Sequence, residues 1–153
     1  MPLEFMQALV ARDLEAASEL IGATVPADMP DGLANFLHYR IAELTADPTV
    51  QAWIGRAIVL DDAAGRRVIG SAGFHGPPGE NGWVEVGYRV APEHRRQGVA
   101  TEVVHALFEW ANREHGVTRF RAATAPQNIA SQGVLAKFGF RRIGIQMDEH
   151  DGE

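Results

Sequence analysis

Between Trp83 and His115 the chain changes its hydrophobic period once, across one short basic segment. "WVEVGYRV" (Trp83–Val90) alternates with period two. Val84, Val86, Tyr88 and Val90 therefore share one face of a strand, and Trp83, Glu85, Gly87 and Arg89 share the other. Beyond "APEHRRQG", Ala100, Val103, Val104, Leu107, Phe108 and Ala111 recur at helical spacing, and Gly116 supplies the stop. A strand feeding a helix through a tight turn restricts the chain to layered folds, because the helix must lay its apolar stripe back on the sheet.

The flanks extend this frame. "LEFMQALVARDLEAASELIG" reads as two short helices, with Asp13 as a cap for the second and Gly22 as its end. "VPADMPDG" reads as a loop, and "LANFLHYRIAELTADP" as a helix with Leu33, Phe36, Leu37, Ile41 and Leu44 on one stripe. "WIGRAIVL" (Trp53–Leu60) and "RVIGSAGF" (Arg67–Phe74) are strands at hairpin spacing before Trp83–Val90, which predicts an antiparallel meander. "VTRFRAAT" is a further strand, and "QNIASQGVLAKFGF" a short helix between Asn128 and Gly139. "FRRIGIQMD" is expected as a last strand. The order predicts an α/β fold with a mixed, mostly antiparallel central sheet, helices on both faces, and one domain over residues 1–153.

Composition removes several classes of function. No cysteine is present, so disulfides, thiolate metal sites and a cysteine nucleophile are excluded. A net charge of −6 opposes general nucleic-acid binding, which needs a basic face. Charged residues interrupt every apolar run, no basic leader precedes one, and His38, His105 and His115 lack a second ligand at metal spacing. The expectations are a cytoplasmic protein that binds no membrane and no metal.

The basic segment asks for an anion. A helix start leaves backbone N–H groups unpaired at the positive end of the helix dipole. Gly98 lets a bulky ligand approach that backbone, Ala100 is small, and Arg95 and Arg96 add bidentate donors. Phosphate is the natural guest. Neither common nucleotide loop pattern is present.

A second motif about thirty residues on, "NIASQGVLAKFGF", contains Asn128, Ser131, Leu135, Lys137, Gly139 and Phe140. The two motifs in this order, preceded by "VEVGYRV", resemble the GNAT family of acetyl-CoA-dependent N-acetyltransferases over about Arg67–Gly144. "EVGYRVAPEHRRQGVATE" looks most like the branch of ribosomal-protein N-terminal acetyltransferases. The resemblance implies a GNAT-like fold with acetyl-CoA as co-substrate. Its pyrophosphate would lie on Arg95–Thr101, mainly on the backbone N–H groups of Gln97, Gly98, Val99, Ala100 and Thr101. Tyr88 to Val90 would pair by backbone with pantetheine, one N–H there would polarise the thioester carbonyl, and Asn128 would contact the pantetheine arm. Lys137 is placed at an adenosine phosphate or on the surface.

The implied reaction moves an acetyl group to a primary amine by direct transfer in a ternary complex. The amine must lose a proton before it attacks, so a base is expected. Glu85 is the first candidate and its alternative is an ion pair with an arginine; His75 is second, and Glu80 third. The family often protonates the leaving thiolate with a tyrosine near the second motif, but only Tyr39 and Tyr88 exist here, which leaves Ser131 or water. The acceptor is a small-molecule amine or a protein N-terminus, chosen by loops around residues 27–35 and 75–82. The family's usual last strand after "FRRIGIQMDEHDGE" is not visible, so a shortened chain and a homodimer whose partner supplies a strand both stay open. A coenzyme A-binding module without catalysis is the alternative function, followed by a protein-interaction domain whose arginines bind an acidic partner.

Overall fold

In the computed structural model, residues 1–145 are described, and they build a sheet flanked by helices. The elements run α1 (Leu3–Val10), α2 (Leu14–Ile21), α3 (Met29–Gly32), α4 (Ala34–Ala46), β1 (Arg56–Asp62), β2 (Gly65–Phe74), β3 (Trp83–Val90), α5 (Val99–His115), β4 (Arg119–Arg121) and α6 (Ile129–Lys137). The strand order is β1-β2-β3-β4; the first three are antiparallel and β4 lies parallel to β3. The mixed, mostly antiparallel sheet is the one the sequence predicts.

Local chemistry sets the helix ends. Asp13 accepts the N–H of Ala16 at 3.0 Å at the start of α2, and Asn128 accepts that of Ser131 at 3.1 Å at the start of α6. Each satisfies one of the donors a helix start leaves over. Gly22 and Gly116 end α2 and α5 in the left-handed conformation.

Packing assigns the two faces. Val84, Val86 and Val90 of β3 are buried in one cluster with Leu107 and Ala111 of α5. The opposite face carries a second cluster with Phe5 and Leu9 of α1 and Leu37 and Leu44 of α4. Each such fully buried side chain contributes about 1.5–3 kcal/mol. A bulge in β2 divides it between the clusters. Ile58 pairs with Gly70 but Val59 with Val68, so Ile69 is the extra residue. Val68 then joins the α1/α4 cluster, while Ile69, Ala72 and Phe74 join the α5 cluster.

Four sequence expectations are corrected. The first strand begins at Arg56; Trp53 caps a 3-10 turn, and its carbonyl accepts the N–H of Phe74 at 2.8 Å. The short α3, with Pro30 in its first turn, lies inside the segment expected as a loop. In "VTRFRAAT" only Arg119–Arg121 pairs. Residues 140–145 of the expected last strand belong to no strand, and residues 146–148 of it lie outside the described residues.

Candidate active site

The site begins where β4 stops. It pairs with β3 only at Trp83–Glu85, so from Val86 onward β3 has no neighbour on that side among the described residues. The carbonyl of Glu85 accepts the N–H of His75 at 2.8 Å, and the N–H of Ala91 reaches Ile69 at 2.7 Å, both toward β2. Backbone groups alternate along a strand. Those of Val86, Tyr88 and Val90 therefore point into the opening. The carbonyl of Val90 there accepts a hydrogen bond from Arg95 Nε at 2.8 Å.

At the end of β3 the chain passes two left-handed residues, Arg96 (φ 59°) and Gly98 (φ 82°), and enters α5. No side chain caps that helix. Its first backbone bond runs from Glu102 N–H to Gly98 C=O at 3.0 Å, which leaves the N–H groups of Val99, Ala100 and Thr101 without helical acceptors. A Cβ placed at Gly98 would meet nothing within 4 Å, so the start is open as well as uncapped. Arg95, Arg96 and Gln97 are exposed around it. Gln97 donates to the Glu93 carbonyl at 3.3 Å. These donors and this open space fit a phosphate group.

On the α4 face of β3, Glu85 is largely buried and held from both sides. Its Oε2 accepts from Arg121 Nε at 2.6 Å, and its Oε1 lies 3.4 Å from His75 Nδ1. The ion pair with an arginine is thus present, and β4 supplies it. Beneath the imidazole lies Gly87, whose Cβ would sit 3.0 Å from His75 Nε2. Arg40 donates to the carbonyl of His75 at 3.1 Å and pairs with Glu43 at 2.5 Å. It is the one buried charged residue among the described residues, packed on the rings of Phe36 and Tyr39. Glu80 is exposed.

Across the opening, the phenol of Tyr88 donates to the carbonyl of Ser131 at 3.2 Å. Burial pushes that phenol above its ordinary pKa, and the hydrogen bond opposes the rise. The structure so brings Tyr88, Ser131 and Asn128 together at the first turn of α6, with Asn128 Oδ1 occupied as the cap. Lys137 is exposed at the far end of the helix.

A cleft of about 640 Å³ opens between α4 and the α4 face of β2 and β3, lined by Phe36, Tyr39, Arg40, His75, Gly87 and Arg89 among others. Gly73 and Gly87 are register partners, and their lack of side chains lets the Gly55 backbone pack over the first and the His75 imidazole over the second. Leu33, Asn35 and His75 bring both of the expected selector loops to the rim of the cleft. Among the described residues no three His, Cys, Asp or Glu side chains converge on a metal position, and no helix is long and apolar enough to cross a membrane.

Sequence reasoning missed Arg40 and Arg121. For Arg40 a signal exists: it lies three residues after Leu37 and four before Leu44, a cation on the buried stripe of α4. For Arg121 none exists, because its partner is 36 residues away.

A strand whose neighbour stops short, followed by an uncapped glycine helix start, makes a site for an extended ligand that carries an anionic group, and comparison with known proteins gives the family. Residues 23–141 match the acetyltransferase (GNAT) domain, and the chain belongs to that family. It is 38% identical over 73 residues to YjdG, an uncharacterized N-acetyltransferase of Bacillus subtilis, covering 48% of this chain and 44% of that one. It is 30% identical over 135 residues to mycothiol acetyltransferase from Parafrankia, covering 82% of this chain and 38% of that protein. The chain therefore spans less than half the length of these curated relatives. Among solved structures, the ribosomal-protein-S5-alanine acetyltransferase of Vibrio fischeri superposes with a TM-score of 0.56 at 20% identity, over 91% of this chain and 77% of that one. A possible acetyltransferase of Clostridium difficile gives 0.57 at 12% identity, over 99% and 93%.

Proposed function

We propose that the chain is an N-acetyltransferase that moves the acetyl group of acetyl-CoA to a primary amine, of a small molecule or a protein N-terminus, by direct transfer in a ternary complex. The observation that carries this reading is the uncapped start of α5 at Gly98, set at the end of a strand that is open on one side. The N–H groups of residues 97–101 would hold the pyrophosphate, with Arg95 and Arg96 adding charge. Tyr88 and Val90 would bond the pantetheine arm through their backbone, and Asn128 lies beside it. Bound there, acetyl-CoA supplies an activated acetyl group.

His75 acts as the base, and Glu85, held by Arg121, orients its ring. The imidazole takes one proton from the acceptor ammonium, whose nitrogen lone pair then forms the new N–C bond as the C–S bond breaks. A backbone N–H of the open β3 edge stabilises the negative oxygen. The acylated nitrogen then sheds its second proton, and the leaving thiolate gains a proton by relay through the Tyr88 or Ser131 hydroxyl at the first turn of α6, so that the hydroxyl ends as it began. No step needs a covalent acyl-enzyme.

Two measurements test this. Calorimetric titration with acetyl-CoA should give micromolar binding that Gly98→Glu abolishes. Thiol release over an amine panel should then show turnover that His75→Ala reduces. Binding without turnover on any amine would favour a non-catalytic coenzyme A module. No binding by a folded protein would refute the cofactor site.

A further inference from the structure

We infer that the cleft beside His75 takes a small primary amine that also carries a carboxylate, and that Arg89 receives that carboxylate. The inference rests on the acetyltransferase reading and narrows its acceptor. Charge is the first argument. Four basic side chains, His38, Arg40, His75 and Arg89, line the cleft, and among the described residues no aspartate or glutamate does. Of the acids that touch these residues, Glu43 pairs with Arg40, and Glu85 pairs with Arg121 and lies 3.4 Å from His75; Arg89 has no such partner among the described residues. A polyamine in this cleft would bring further ammonium groups against the Arg89 guanidinium, with no acid among the described lining residues to receive them.

The state of Arg89 is the second argument. It donates to the carbonyl of Gly32 at 2.5 Å, which holds its guanidinium at the cleft wall. Among the described residues no carboxylate pairs with it. A guanidinium has five donors in a fork suited to a carboxylate, and most of these are unspent. Placement is the third. Arg89 follows Gly87 by two residues on the same strand face, about 7 Å along β3 from the floor under His75. One small molecule can present its amine to the imidazole and its carboxylate to the guanidinium. Phe36 and Tyr39 line the same cleft and supply apolar wall for a side chain, as small-molecule sites do.

The test compares acceptors that differ only in the carboxylate. A panel of amino acids, each beside its carboxamide, and spermidine as the polyamine, is assayed by thiol release from acetyl-CoA. The best amino acid should exceed its carboxamide by about 10- to 100-fold in kcat/KM, the range of a charged hydrogen bond. Arg89→Gln should collapse that ratio toward one, and Arg89→Lys should keep part of it; acetyl-CoA affinity reports that each variant is folded. Two results overturn the inference: carboxamides or spermidine used as well as amino acids, or Arg89→Gln slowing both members of a pair equally, which makes Arg89 only a strut under α3. Polyamine acetylation with intact acetyl-CoA binding sinks this inference alone. Loss of acetyl-CoA binding in the native protein sinks the acetyltransferase reading with it.

Discussion

Replacing Gly87 by alanine tests the proposed base, His75, without touching it. The added Cβ would sit 3.0 Å from His75 Nε2 and 3.6 Å from its Cδ2, where ordinary contact begins at 3.4 Å. The ring must therefore yield by a few tenths of an ångström. Gly87 is not among the positive-φ glycines, so alanine brings no backbone strain there. The His75 side chain is 50% exposed, so the ring has room to move, and the stability cost should stay under about 0.5 kcal/mol. Catalysis should respond more strongly. His75 Nδ1 is already 3.4 Å from Glu85 Oε1, and any shift alters both that contact and the aim of Nε2. A misplacement of 1 Å can cost about 100-fold, so a shift near half of that predicts about a tenfold loss of kcat. The assay is steady-state thiol release, with a thermal melt beside it. The comparison runs over Gly87→Ala, His75→Ala and the double variant. If the methyl acts through the imidazole, it costs nothing more once His75 is gone. Unchanged kcat in a folded Gly87→Ala protein, or the same tenfold loss persisting without His75, would refute the reasoning.

Other outcomes follow from the same geometry. Glu85→Gln should lower kcat by about tenfold or more while changing stability by only about 1 kcal/mol, because Arg121 across the ion pair is half exposed; an unchanged kcat would free His75 from any need of its partner. Arg40→Ala should destabilise by about 2–3 kcal/mol in chemical denaturation, since it leaves Glu43 and the His75 carbonyl without their buried donor. Tyr88 carries a pH signature. Its folded pKa is raised by burial, so the stability it contributes is fully present below the unfolded value near 10 and is lost as pH rises through the raised one. Denaturation midpoints should fall above about pH 10 in the native chain and fall less in Tyr88→Phe; equal slopes would contradict the burial. The outer edge of β4 has no strand beyond it among the described residues. A homodimer is therefore expected in sedimentation velocity, and a monomer at all concentrations would remove that expectation.

What depends on near neighbours was legible in the chain. Asp13 and Asn128 cap helices through residues three positions on, Gly116 ends α5 in the left-handed form, and the valines of β3 face α5 as their alternation requires. The open helix start at Gly98 was legible too, because a glycine and two arginines before an apolar stripe act within one turn. The arrangement of the candidate site was not. Arg121 meets Glu85 across 36 residues, Arg40 meets His75 across 35, and Tyr88 meets Ser131 across 43. Each of these contacts exists only after β3 has paired with β4, or α4 and α6 have packed, and no local pattern encodes a register between strands so far apart. The expected last strand shows the converse. "FRRIGIQMD" has the alternation of a strand, yet residues 140–145 of it join no sheet, because alternation states only that a segment can pair. A strand forms where a neighbour offers its hydrogen bonds, and that neighbour is a property of the fold.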